Sequence, residues 1–215
     1  MTDEKESNPV GQAKALSDTQ QIIVVRYLKE QSKHPIRNVC MFLFTVKAGL
    51  RAIEVALLEW GMVYDLDGNI GKKLTIPPRI TKGGRSKKNK KRSAPKPRII
   101  PIHRDLLEWL HIHHKAMGVN YTMPNQRIFI SQQGYKFDRK KMSGFFWRLY
   151  NKLGFYKCSS HSGRRTFITN AARQISRAGG SLLDVQRMAG HRSLGTTQLY
   201  IEESEEAKEK VIDLI

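Results

Sequence analysis

The sequence predicts a mostly helical α+β domain with a small antiparallel β-sheet at one edge. Three observations carry that expectation. Apolar residues recur at helical intervals from Ile22 to Val46 and again through the C-terminal half. Between them the texture changes to short strand-like runs, MVYDL (62–66), KKLTIPP (72–78) and PRIIPIH (97–103), separated by turn formers. A hydrophobic content of 40% over 215 residues is enough for a real core, and no internal repeat or linker divides it.

The polar residues 1–15 lack periodicity and read as a flexible leader, with the fold expected to start at Leu16. Ser17 followed by Gln20 has capping-box spacing and opens a first helix that runs to about Gln31. Pro35 suits the first turn of a second helix, apolar from Val39 to Val46, which ends at Gly49 and reads as the central, buried one. Beyond a short segment, Ala52 to Trp60, the turn residues Asp67, Gly68 and Asn69 predict a three-stranded meander. Its last two strands flank residues 81–98, which contain nine Lys or Arg and no acid and read as a long cationic hairpin loop. Helices are expected at 104–117, 138–152, 163–177, 181–189 and about 202–213, with an extended piece at 127–131. Trp60, Trp109, Trp147, Phe145 and Phe146 are expected in the core.

The charge of +19, from 38 Lys and Arg against 19 Asp and Glu, points to a polyanionic partner, nucleic acid before an anionic membrane surface. The longest uncharged apolar run, Val39 to Val46, is far short of the roughly 20 residues that span a bilayer, and the first ten residues hold no hydrophobic signal region. A cytoplasmic protein is expected, nucleoid-associated if the source is prokaryotic. Two cysteines, Cys40 and Cys158, make neither a disulfide framework nor a four-ligand zinc site. His111, His113 and His114 do not share a helix face and read as a partly exposed helix end rather than a metal site. The Asp65, Asp67, Asn69 run lacks the glycine placement and closing Glu of a calcium loop and reads as a β-turn. The run 87–92, KKNKKR, reads as a phosphate-contacting segment before a nuclear import signal.

Three distant segments are harder to treat as ordinary: GLRAIEVALLEW (49–60), HSGRRTF (161–167) and MAGHRSLGTTQLY (188–200), with TKGGR (81–85) in the cationic loop. In this order they resemble the catalytic domain of the tyrosine recombinase, or phage integrase, family, and the resemblance covers about residues 16–201. It implies that Arg51 is the first catalytic Arg and Glu54 the acid bracing it. It further implies that Lys82 is the hairpin Lys, His161 and Arg164 the His-x-x-Arg pair, His191 the Gly-His residue and Tyr200 the nucleophile. The ordered set is specific, whereas an isolated His-x-x-Arg is not. Two positions depart from the family pattern: Ala189 two residues before His191 and Gly163 before Arg164, each where the family usually has Leu. Most members also carry an N-terminal helical domain that closes a clamp around DNA; with about 15 residues ahead of the catalytic region, the reading is either a minimal recombinase or an excised fragment.

These residue types suit phosphodiester transesterification. Negative charge builds on the nonbridging oxygens, and two guanidiniums, from Arg51 and Arg164, can grip them with forked donors at any working pH. Neither metal nor cofactor is implied. The phenol of Tyr200, ordinarily with a pKa of about 10, needs a base or the cationic cluster to become a nucleophile, with His161 the nearest candidate. His191 can donate to the phosphate and Lys82 can protonate the departing 5′ oxygen. Arg85, Lys87, Lys88, Lys90, Lys91 and Arg92 are expected to contact DNA phosphates.

The resemblance implies a site-specific recombinase, acting as a homo-tetramer on two double-stranded DNA sites and weakly associated or monomeric without DNA. In residues 202–215, Ala207, Val211, Leu214 and Ile215 lie at helical spacing and suit a helix that packs on this protomer or on a neighbour; the resemblance implies that this helix is often exchanged between protomers. Two alternatives share the pattern: type IB topoisomerase-like relaxation and a non-catalytic DNA-binding relative.

Overall fold

The computed structural model describes residues 13–81 and 97–200. They form two compact units, the first extending to Phe167 and the second starting at Ile168.

In the first unit, α1 (Asp18–Glu30) opens with a complete capping box: the Gln20 amide donates to the Ser17 hydroxyl at 3.1 Å and the Ser17 amide to the Gln20 side chain at 3.0 Å. Leu16 is buried just ahead of it, and Lys14 already donates its amide to the Lys157 carbonyl at 3.0 Å, so ordered structure reaches into the expected leader; residues 1–12 of that leader lie outside the described residues. α2 (Pro35–Ala48) is buried almost all round, as expected for a helix with little polar surface, and packs against α1 and α4 (Arg104–Met117). It stops at Gly49, whose φ of +66° is left-handed and where a Cβ would strike the ring of Phe167. A five-residue helix, α3 (Ala52–Ala56), follows and packs against α5 (Arg139–Lys152).

The sheet has two strands, β1 (Lys73–Ile76) and β2 (Arg98–Pro101), paired antiparallel with Ile76 opposite Arg98. The expected first strand of the meander, MVYDL, does not form. Residues 60–62 make a 3-10 turn, and Asp65 takes the amides of Asp67 and Asn69 on its own carboxylate at 3.0 and 2.9 Å. Only an isolated Tyr64–Ile70 bridge remains of the pairing. Local side-chain bonding satisfies the turn backbone and takes residues away from a ladder. The extended piece at 127–131 is likewise reduced to two bridges, Glu59–Arg127 and Ile130–Lys136.

Helix α4 spans the residues its periodicity predicts, and α5 starts one residue later than expected because Asp138 caps it from outside, accepting the Lys141 amide at 2.7 Å. Trp60 and Phe146 are fully buried and Trp109 and Phe145 partly so, but Trp147 is 59% exposed. The α5 core face is Met142, Phe146, Leu149 and Tyr150; one residue beyond Phe146, the 100° step carries Trp147 off it. His113 also departs from the exposed-end reading. It is buried, its ring stacks on Phe129, and its Nε2–H donates to the Ile128 carbonyl at 2.8 Å. Burial lowers its pKa and keeps it neutral.

Helix α6 (Ser162–Gln174) follows, and the boundary between the units falls inside it; the helix stops three residues short of the expected 177. In the second unit, α7 (Leu182–Ala189) begins at a Ser181–Asp184 capping box, ends at left-handed Gly190, and packs against α8 (Leu194–Gln198). The sequence did not predict α8: three of its five residues, Gly195, Thr196 and Thr197, are weak helix formers. The helix expected at 202–213 lies outside the described residues.

Candidate catalytic site

Arg51 stands at the entry of α3, two residues past the turn that ends α2. Glu54, three residues on, has a fully buried carboxylate that bonds Arg51 twice: the Arg51 amide donates to Oε2 at 2.8 Å and Nη1 to Oε1 at 2.9 Å. Arg98, the first residue of β2, donates from Nη2 to the same Oε2 at 3.0 Å. Burial alone would push the Glu54 carboxyl up; the guanidiniums of Arg98, Arg51 and Arg164 outweigh it and hold the group below the usual carboxylate range.

Arg164 sits in the first turn of α6 and is buried; its Nη1 donates to the Gly49 carbonyl at 2.6 Å. That carbonyl belongs to the turn leading into Arg51, so one short stretch of backbone holds both guanidiniums near the same carboxylate. Gly163 permits this approach. A Cβ there would fall on the Thr45 hydroxyl and 3.2 Å from Val46, so the departure from Leu at this position lets α6 lie directly on α2. His161, one residue ahead of α6, is exposed and shares with Arg51 a cleft of about 660 Å³. Arg79, Arg127, Lys136 and Arg139 also line the cleft. Glu59 takes two of them, pairing with Arg127 at 3.1 Å and with Arg79.

In the second unit, the rings of His191 and Tyr200 stack with centroids 5.6 Å apart and planes 23° from parallel. His191 Nδ1 bonds the hydroxyl of buried Thr197 at 2.9 Å, and its amide and carbonyl both bond Gln186 at 3.1 Å. The Tyr200 amide donates to the Thr197 carbonyl at 3.1 Å.

The described structure therefore brings the sequence-predicted residues into two groups, Arg51, Glu54, Arg164 and His161 in one unit and His191 and Tyr200 in the other. Lys82, Arg85, Lys87, Lys88, Lys90, Lys91 and Arg92 lie outside the described residues. Two functional candidates had been passed over. Arg98, at the end of the cationic 81–98 run, is a strand residue and ion-pair partner to Glu54; its place in the alternation of PRIIPIH is the available signal. Thr197, within the quoted GTTQLY, had received no role. A second groove, lined by Ile22, Val25, Phe42 and Leu43 between α1 and α2, contains none of the signature residues.

The fold is found in solved recombinases. A crystal structure of XerA recombinase matches with a TM-score of 0.67 at 20% identity, over 93% of this chain and 64% of that one. An XerH site-specific recombinase bound to its difH substrate matches with a TM-score of 0.65 at 20% identity, over 92% and 53%. The Tn1549 transposon integrase in complex with a circular-intermediate DNA gives 0.67 at 16% identity, over 97% and 68%. These define the class of fold as the tyrosine recombinase catalytic domain. Residues 16–207 match the phage integrase family, and the chain belongs to that family. Among curated relatives, the tyrosine recombinase XerC of Leptospira interrogans is 23% identical over 197 residues, 91% of this chain and 56% of the relative. XerC of Nitrobacter winogradskyi is 30% identical over 106 residues, 49% of this chain and 32% of the relative. The chain thus spans about half the length of the first of these relatives.

Proposed function

We propose that this chain is a site-specific tyrosine recombinase that breaks and rejoins double-stranded DNA, with residues 16–201 as its catalytic domain. The observation that carries the reading is the arrangement around Glu54: two guanidiniums from segments more than a hundred residues apart, Arg51 and Arg164, are drawn to one short turn and one buried carboxylate. Such a cluster suits the charge that develops on a phosphodiester under attack, and its donors are held in place before the reaction begins. Membership of the phage integrase family and the stacked His191–Tyr200 pair support the same chemistry.

In this mechanism the Tyr200 oxygen attacks the scissile phosphorus, its proton leaving toward His161 or solvent. Arg51 and Arg164 neutralise the nonbridging oxygens, His191 adds a hydrogen bond, and Lys82 protonates the departing 5′ oxygen. The resulting 3′-phosphotyrosine conserves the phosphodiester, so a 5′ hydroxyl from another duplex can reverse the step without ATP or ligase. Two such exchanges through a Holliday junction, in a homo-tetramer on two sites with the 202–215 segment reaching a neighbour, would give integration, excision, inversion or resolution. The cations from Arg85 to Arg92 would grip backbone phosphates. Among the described residues no helix is long and apolar enough to cross a membrane.

The test is capture on nicked suicide duplexes drawn from a random-sequence library, in which the short 5′ fragment diffuses away after cleavage. A covalent protein–DNA adduct mapping to Tyr200, with a defined sequence recovered from the adduct, is expected. Absence of any adduct, or adducts without sequence preference, would overturn the recombinase reading, the latter in favour of relaxation chemistry.

A further inference from the structure

Arg98 is out of place for its position in the sheet. In β1 and β2 the inward residues are Leu74, Ile76, Ile100 and Arg98, so a guanidinium occupies a core-facing site between aliphatic side chains. Burying a charge is costly unless it is paired, and replacing such a pair with apolar residues is often stabilising. Stability alone therefore gives little reason for Arg98 to be here. Its bonding does: it donates to Glu54 Oε2, the oxygen that also takes the Arg51 amide, while Glu54 Oε1 holds the Arg51 guanidinium.

Resting on the recombinase reading, we infer that Arg98 is a positioning residue for the reaction, fixing Arg51 through Glu54. Among the described residues Arg51 uses only Nη1 of its guanidinium on a protein partner, leaving Nε and Nη2 to meet a phosphate. When they do, the electron density of the phosphate competes with Glu54 for the same guanidinium. Without Arg98, the carboxylate would then share Arg51 with the phosphate and lose part of its counter-charge inside the core. Arg98 keeps Glu54 ionised and stationary through that change, so Arg51 shifts its contacts without shifting its place. The site also couples the foot of the hairpin to the catalytic Arg, since Arg98 pairs with Ile76 across the strands from which the cationic segment departs.

The experiment uses the full chain and the suicide duplex recovered by Tyr200 capture, with single-turnover adduct formation and duplex affinity measured separately. Arg98→Met should slow adduct formation by roughly 10²-fold, the scale of a catalytic group displaced by about an ångström, with duplex affinity within about twofold of the parent. The acid limb of its rate profile should move to higher pH, because Glu54 has lost one of the guanidiniums that hold its carboxyl low. Arg98→Lys, which keeps the charge, should recover most of the rate. A parental rate in Arg98→Met, an unmoved acid limb, or equal losses in rate and affinity would overturn the inference. Should Arg98→Met fail to fold, Glu54→Gln/Arg98→Met strands no buried anion and is compared with Glu54→Gln alone. Equal rates are expected, since Arg98 acts only through Glu54, and a further drop in the double variant would refute it. A parent chain that captures no DNA removes the recombinase reading itself, a result seen before any Arg98 variant is made.

Discussion

The two groups of candidate residues are built by different physics. Around Glu54, buried ions hold one another: a carboxylate with no exposure, guanidiniums at 2.9 and 3.0 Å, and a carbonyl at 2.6 Å from Arg164, joining residues 44 and 115 positions apart. Around Tyr200, local hydrogen bonds and a ring stack join residues within fifteen positions of each other, on helices of eight and five residues. Long-range ion pairs in a dry interior are stiff, because moving any member strands a charge. Local hydrogen bonds on short helices cost less to break and remake. Under the proposed mechanism, the group that would stabilise charge is thus set in advance by long-range pairs, while the segment that would attack is shaped by contacts local to it.

The largest expected effect tests the nucleophile. Tyr200→Phe keeps the ring against His191 and removes only the hydroxyl, so covalent capture should vanish while a gel-shift assay shows duplex binding nearly unchanged. An adduct formed by this variant would break the comparison outright. Next comes the preset side: Arg164→Ala should reduce single-turnover cleavage by about 10²- to 10³-fold, as for loss of one preorganised donor. Loss of the bond to Gly49 should also lower the urea midpoint, a double penalty that Tyr200→Phe should not show.

A smaller effect is expected at Thr197, which holds His191 Nδ1 and so selects its tautomer. Thr197→Val is nearly isosteric but cannot bond, and should slow cleavage about tenfold, at the low end of what orienting groups contribute. A slowing as large as that of Arg164→Ala would mean the second group is as rigidly set as the first. The smallest effect is thermodynamic. The Glu54 pKa is lower in the folded state than in the unfolded chain. Its contribution is therefore present above the unfolded value, about 4.3, and is lost as pH falls through the folded one. The urea midpoint should drop between pH 5 and 3 more steeply in the parent than in Glu54→Gln, and parallel curves would argue that Glu54 is not held by its three arginines.

Much of the helical frame was legible because each cue is local. The Ser17–Gln20 box, Pro35 and Gly49 at either end of α2, and the periodicity of α4 all act within a few residues of the structure they specify. Where a local competitor was present, reading by pattern failed. MVYDL has the alternation of a strand, but Asp65 closes a turn on its own carboxylate first. Trp147 has the composition of a core residue and the wrong angle on its helix. Helix α8 had no strong propensity to announce it.

The sequence by itself determined the order of the signature residues and the excess of positive charge, and through the family resemblance it pointed to Glu54 as the brace of the Arg51 segment. Only the tertiary structure decided that Arg98 belongs to Glu54 rather than to the cationic loop, and that Arg164 reaches the Gly49 carbonyl. It also decided that Gly163 is the residue on which α6 closes against Thr45. The reason is that a strand's alternation states which side a residue faces, but what waits on that side depends on elements packed there from far along the chain. A buried arginine is legible as a cation in sequence; its partner exists only once β2 has paired with β1 and the Glu54 carboxylate is buried within reach of it.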